Sequence, residues 1–127
     1  MSHFTTIKTR IVSKEHLLEA LDDLNMTYEI GDLEIRGYGG IRTHVEIKVP
    51  TAAQDYQIGF RKKGDAYEIV ADWYGIKDIR QEEFISKVTQ RYAYRAALKQ
   101  LEAQDFAVVS QEIGPDNSIH ITLRRMV

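Results

Sequence analysis

The segment Gln90-Arg91-Tyr92-Ala93-Tyr94-Arg95 gathers the side chains with the greatest chemical reach in the chain. Arg91 and Arg95 stand one helical turn apart, so two guanidinium forks on one face can clamp a carboxylate or a phosphate, with Tyr92 and Tyr94 as flanking hydroxyl donors. A plainer reading makes the tyrosines core residues with wetted hydroxyls and pairs the arginines with surface acids. The ease with which Arg and Tyr snorkel beside a core favours it.

Asp72 is the second focus. It lies in Glu68-Ile69-Val70-Ala71-Asp72-Trp73-Tyr74, a run that is otherwise largely apolar and aromatic, and a carboxylate there needs a partner. If the second helix covers that strand, Arg91 or Arg95 is the natural one, and the pair is either a structural lock or the floor of a polar pocket. Trp73 and Tyr74 are an interface hot spot or core. Tyr38 is a further candidate contact, set in the glycine-rich segment Arg36-Gly37-Tyr38-Gly39-Gly40. That segment lacks a Gly-Lys-Ser/Thr ending and a strand pattern follows it, so it reads as a bulged loop needing positive φ rather than a phosphate loop.

Other chemistries find little support. With no cysteine among 127 residues, disulfides, thiolate nucleophiles and cysteine-ligated metals are excluded. The four histidines, His3, His16, His44 and His120, lack the i, i+4 spacing of a metalloprotease helix. His44 and Glu46 share a strand face but need a third ligand from elsewhere, so no metal site and no cofactor is expected. No serine lies in a Gly-x-Ser-x-Gly turn, and no residue is assigned a catalytic role. The basic runs Arg61-Lys62-Lys63 and Arg124-Arg125 permit nucleic-acid binding, yet the formal net charge of -2 supplies no global field for it.

These residues must be positioned by short, well-punctuated elements. Residues 4 to 12 alternate with a strand period, Ser13 is set to cap a helix, and Leu17, Leu18, Leu21 and Leu24 give that helix one apolar stripe ending near Asn25. Strand signals follow at Thr27 to Ile30, Leu33 to Arg36, His44 to Val49, Tyr56 to Arg61 and Tyr67 to Trp73, with Val70 and Tyr74 implying cover on the second face. A long helix is expected from about Arg80 to Gln104, then a hairpin of Phe106 to Ile113 and Ile119 to Leu123 around Gly114-Pro115-Asp116-Asn117. The order β-α-β-β-β-β-β-α-β-β predicts an α+β fold in which two helices pack on one face of a mainly antiparallel sheet.

Without a linker or repeat, residues 1–127 read as a single domain. The 43% apolar and 28% charged content suits one globular core, no apolar run is long enough for membrane insertion, and the start Met1-Ser2-His3-Phe4 lacks a signal-peptide profile. The expected location is the cytoplasm or an organellar equivalent.

Met1-Ser2-His3-Phe4 with Ile7-Lys8-Thr9, Arg36-Gly37-Tyr38-Gly39, Tyr56-Gln57-Ile58-Gly59-Phe60, Tyr67-Glu68-Ile69-Val70-Ala71-Asp72 and, most specifically, Lys87-Val88-Thr89-Gln90-Arg91-Tyr92-Ala93-Tyr94 run nearly end to end. Together they resemble the hypothetical chloroplast reading frame thirty-five family, small proteins of unassigned function found in plastids, cyanobacteria and scattered other bacteria. The ending Leu123-Arg124-Arg125-Met126-Val127 departs from the family, where a tryptophan is expected, which implies an altered tail contact. The resemblance implies a cytoplasmic or plastid-stromal setting and an accessory role, since the family's genes can sit beside those for a ring-forming ATPase, a second very small protein and a ferredoxin. It points to a non-enzymatic adaptor acting through protein–protein contacts, with an AAA-type ATPase or a photosynthesis-related or iron–sulfur-related assembly as the partner. The alternatives are a small anionic-ligand binder or enzyme built on Asp72, Arg91 and Arg95, and a nucleic-acid binder. An exposed terminal hairpin also permits a homodimer through a sheet edge.

Overall fold

Ser13 is the N-cap of the first helix, α1 (Lys14–Asp23), its side-chain oxygen accepting from the His16 N–H at 3.2 Å, and Glu15 complements the dipole in the first turn. At the other end Asn25 takes a left-handed φ of 58°. There the Asn25 N–H donates to the Asp22 carbonyl, and the Met26 N–H reaches back to the Leu21 carbonyl, so both of these helix-end acceptors are satisfied. The structure in which these elements are described is a computed structural model covering residues 3–115 and 118–125.

Before α1 comes β1 (Thr5–Lys8); after it β2 (Glu29–Arg36), β3 (Arg42–Pro50), β4 (Gln57–Lys63) and β5 (Ala66–Ala71) form a meander, followed by α2 (Gln81–Ala103) and the hairpin β6 (Phe106–Ile113) and β7 (Ile119–Arg125). The first five strands make one antiparallel sheet in the order β1-β5-β4-β3-β2, and β6 and β7 make a second sheet of two. The α+β class and the element order follow the expected pattern, and Gly31-Asp32 proves to be an irregularity inside a single strand. Ile30 pairs with Ile47 and Leu33 with Val45, so Thr27 to Ile30 and Leu33 to Arg36 are not separated by a turn. The tip of the last hairpin, Asp116 and Asn117, lies outside the described residues.

Both helices pack on one face of the larger sheet. Leu17 and Leu21 of α1 and Phe84 and Val88 of α2 share a buried cluster with Ile58, Phe60, Ile69 and Ala71. The register sets Ile58 beside Ala71 and Phe60 beside Ile69, and Phe84 meets Phe60 at 6.1 Å between ring centroids. Burying side chains of this size contributes roughly 1.5–3 kcal/mol each. Val70 leaves its strand on the opposite side, as period-2 alternation requires, and joins Ile35 and Val45 in a smaller cluster with Phe4 and Leu33. Among the described residues no helix is long and apolar enough to cross a membrane.

One polar contact fixes the helices to each other. Asp23, in the last turn of α1, stands at the unfavourable end of that helix dipole. Its carboxylate is compensated by α2: Arg95 donates from Nε to Oδ2 and from Nη2 to Oδ1, both at 2.6 Å, and Arg91 donates from Nε to Oδ2 at 2.7 Å. The Asp23 side chain is only 14% exposed. The Arg95 hydrogen bonds outweigh burial and, with Arg91, hold its carboxyl below the ordinary value of 3.8.

Two predictions follow from this packing. A Cβ at Gly59 sits 2.3 Å from Val45 Cγ1, so Gly59→Ala is expected to cost about 1–3 kcal/mol in urea unfolding through overpacking, and Val45→Ala in the same chain recovers part of it; no recovery means the strain lies elsewhere. Because the folded pKa of Asp23 is depressed, its contribution is present above 3.8 and lost as pH falls below it. Asp23→Asn should lower stability by about 2 kcal/mol at neutral pH, with a gap to the parent that narrows in acid. An equal gap at both pH values contradicts the ion-pair account.

Candidate functional site

β5 ends one residue before Asp72, because the Asp72 carboxylate turns back to cap a single 3-10 turn over Trp73–Gly75. Its Oδ1 accepts from the Tyr74 N–H at 3.3 Å. Its Oδ2 accepts from the Tyr38 N–H at 2.9 Å, across 34 residues of sequence, and so ties the end of β5 to the glycine-rich loop between β2 and β3. Asp72 is 1% exposed. The approach depends on Gly37, where a Cβ stands 2.9 Å from Asp72 Cβ and 3.0 Å from its Oδ2. Any side chain there pushes the carboxylate off the Tyr38 amide.

The two residues whose amides Asp72 holds present their rings outward. Tyr38 and Tyr74 meet edge to face, with centroids 5.9 Å apart and planes at 84°, and they are 46% and 62% exposed. Lys77 Nζ lies 5.2 Å from the Tyr74 centroid, and Ile41 is a further exposed apolar side chain at the end of the same loop. Trp73 turns the other way. Its ring packs 6.0 Å from Phe84 in the core, and its buried indole N–H has no acceptor among the described residues.

The expected pairing of Asp72 with Arg91 or Arg95 is corrected. Both arginines bind Asp23, so the clamp that α2 offers is filled from within the chain. Arg91 also stacks over the Tyr94 ring at 4.3 Å. The Tyr92 hydroxyl accepts from the Val12 and Ser13 N–H groups at 3.1 and 3.0 Å and fastens α2 to the approach to α1. Of the six candidates, Tyr38 and Asp72 meet, Trp73 turns from the same corner into the core, Arg91 and Arg95 lock the helices through Asp23, and Tyr92 holds α2 to the Val12 and Ser13 amides.

Beside the tyrosine pair lies a cavity of about 320 Å³ lined by Arg36, Gly37, Gly39, Gly40, Arg42, Asp55 and Tyr56. The positive φ of Gly39 and Gly40, 70° and 79°, fits the expected bulged loop. Gln57, buried beneath it, accepts from the Arg36 N–H at 2.8 Å and donates to the Gln54 carbonyl at 2.6 Å. Desolvation by burial, with the Asp72 charge nearby, pushes the Tyr56 phenol up. Sequence reasoning passed over Arg36, Arg42, Tyr56 and Gln57 as site residues. Their signal was the pair of arginines bracketing three glycines. His44 bonds Asp32 at 2.8 Å and Glu46 accepts from the Lys62 N–H, and among the described residues no group of three or more His, Asp or Glu is placed to hold a metal ion.

Residues 20–122 match a family described as a protein of unknown function (DUF1257). The chain is 34% identical over 128 residues to the uncharacterized protein ycf35 of Guillardia theta and 31% identical over 126 residues to that of Cyanophora paradoxa, with 98% of each chain covered in both cases. The ycf35 protein of Pyropia yezoensis is 30% identical over 128 residues, again with 98% of each chain covered. No solved structure matches. A family match across most of the chain, and relatives at this identity over nearly all of it, establish that the chain belongs to the DUF1257 family, to which the resemblance to the chloroplast reading frame thirty-five proteins had pointed.

Proposed function

We propose that this domain is a non-enzymatic adaptor that binds a protein partner through the Tyr38–Tyr74 surface. The observation that carries this reading is a carboxylate buried to 1% exposure whose hydrogen bonds hold two exposed tyrosines in contact. Burying a carboxylate is costly, and here the gain is a fixed pair of aromatic rings at the surface. Tyrosines of this kind supply a large amphipathic contact area, and rings already held in place lose little entropy when a partner covers them. Ile41 and the Lys77 ammonium extend the patch with one apolar and one cationic contact.

A ring-forming ATPase is the first partner to assay, because the family resemblance implies genes that can sit beside one for such an ATPase. The test is affinity capture of the tagged chain from lysate of a cell that carries its gene, with and without ATP, read by mass spectrometry. Wild-type protein should retain a stoichiometric partner that Tyr38→Ser with Tyr74→Ser loses while its unfolding midpoint stays within error of the parent. Retention of that partner by the double variant, or recovery of none under either nucleotide condition, removes the adaptor reading. Asp72→Asn should lower stability by about 1–2 kcal/mol, because the amide keeps one acceptor oxygen and sets an N–H against the second backbone donor, and reduce capture as well, since the rings lose their common anchor. Full capture by a destabilised Asp72→Asn chain shows that Asp72 serves the fold alone.

A further inference from the structure

Arg91 and Arg95 hold their acidic partner closely, whereas Arg36 and Arg42 do not. Arg91 and Arg95 bind Asp23 at 2.6 to 2.7 Å, with side chains 21% and 30% exposed. Arg36 approaches Asp55 only to 3.5 Å and Arg42 approaches Glu34 only to 3.6 Å, and all four of those side chains are well exposed. Exposed pairs of that length contribute close to nothing to stability and are readily exchanged for another anion. Arg36 is nevertheless positioned: its Nη2 donates to the Gln54 carbonyl at 3.1 Å and its backbone N–H to Gln57.

Arg36 and Arg42 both line the cavity of about 320 Å³ beside the glycine loop, together with Asp55, Tyr56, Gly37, Gly39 and Gly40, and the Arg36 guanidinium lies at the Asp55 wall. The Tyr56 ring is pressed against Gly75, where a Cβ stands 2.2 Å from its carbons, so the phenol is fixed at the cavity wall. No side chain from Gly39 or Gly40 fills the opening, and a Cβ built at either meets nothing within 4 Å. A pocket with two fork-shaped cations, a phenol and a stretch of bare backbone has the chemistry that recognises a planar or tetrahedral oxyanion.

We propose that the Arg36–Arg42 cavity is a binding site for a carboxylate or phosphate group, which replaces the exposed Asp55 and Glu34 as the partner of the two arginines. This site differs from the α2 clamp that the sequence suggested, and it stands independently of the tyrosine surface. Asp55 lies in the wall as an internal competitor. An incoming anion displaces it and gains two guanidinium forks in place of one distant contact.

The test is a titration of the full chain, followed by amide chemical shifts, with inorganic phosphate in one arm and glutarate in the other, at constant ionic strength set with chloride. Saturable shifts should centre on Gly37, Gly39, Gly40, Arg42 and Tyr56, and the arm that saturates at lower concentration identifies the ligand as phosphorylated or carboxylic. Arg36→Gln with Arg42→Gln should weaken binding by about tenfold or more, as loss of charge-assisted contacts predicts. Asp55→Asn, which leaves both arginines in place, should tighten binding by about threefold on release of the competing charge, a change of the size of one weak surface pair. Absence of saturable shifts in both arms overturns the proposal. So do unchanged affinities in the arginine variant, shifts centred on Arg91 and Arg95, or equal or weaker binding by Asp55→Asn.

Discussion

The Asp72 carboxylate is the point on which the arrangement of the surface turns. It closes β5, begins the Trp73–Gly75 turn and reaches the Tyr38 amide, so one buried acid sets the relative position of two chain segments that are distant in sequence. The consequences spread from there. Trp73 is sent inward onto Phe84, Tyr74 outward onto Tyr38, and the loop carrying Gly37 to Gly40 is drawn against the end of the sheet. An asparagine of the same size has one acceptor oxygen for these two N–H groups and leaves the arrangement with one tether fewer.

Much of this was legible in the sequence, and what was not has a physical explanation. Period-2 and period-3.6 patterns placed the helices and most strands because each buries a single face, as Leu17 and Leu21 or Phe60 and Ile69 illustrate. Gly31-Asp32 read as a turn because local chemistry favours one, but pairing with β3 carries the strand through it. The partner of Arg91 and Arg95 was hidden for a different reason. Asp72 stands out among apolar neighbours, while Asp23 follows Asp22 on a helix that also carries Glu15 and Glu19, so nothing in its sequence setting singles it out. The available clue was its place in the last turn of α1, where a negative charge opposes the helix dipole and calls for a cation from outside the helix.

The two acids divide their tasks. Asp23 fixes helix to helix through charged donors on partly covered side chains, and Tyr92 adds a second fastening through the Val12 and Ser13 amides. Asp72 fixes loop to loop through backbone N–H groups. The α2 cluster that appeared richest in chemistry is spent on internal packing, and the less conspicuous arginines at the strand ends flanking the glycine loop remain at the surface with weakly held partners. Residue types alone do not distinguish these outcomes. The length of the ion pair and the exposure of both partners do.

The strand order carries a consequence for how the chain reaches this state. β2 through β5 pair each with its neighbour in sequence, so the meander assembles from local hairpins, each closing a short loop. β1 is different: it joins β5, and the Thr9 hydroxyl that follows it bonds the Tyr67 carbonyl 58 residues away. Closing that loop carries the largest entropy cost in the sheet and delivers a strand of only four residues. The order of events that minimises this cost folds the meander first, on which α2 can dock, and adds β1 last, so that the N-terminal strand acts as the closing clasp of an already assembled sheet rather than as its nucleus.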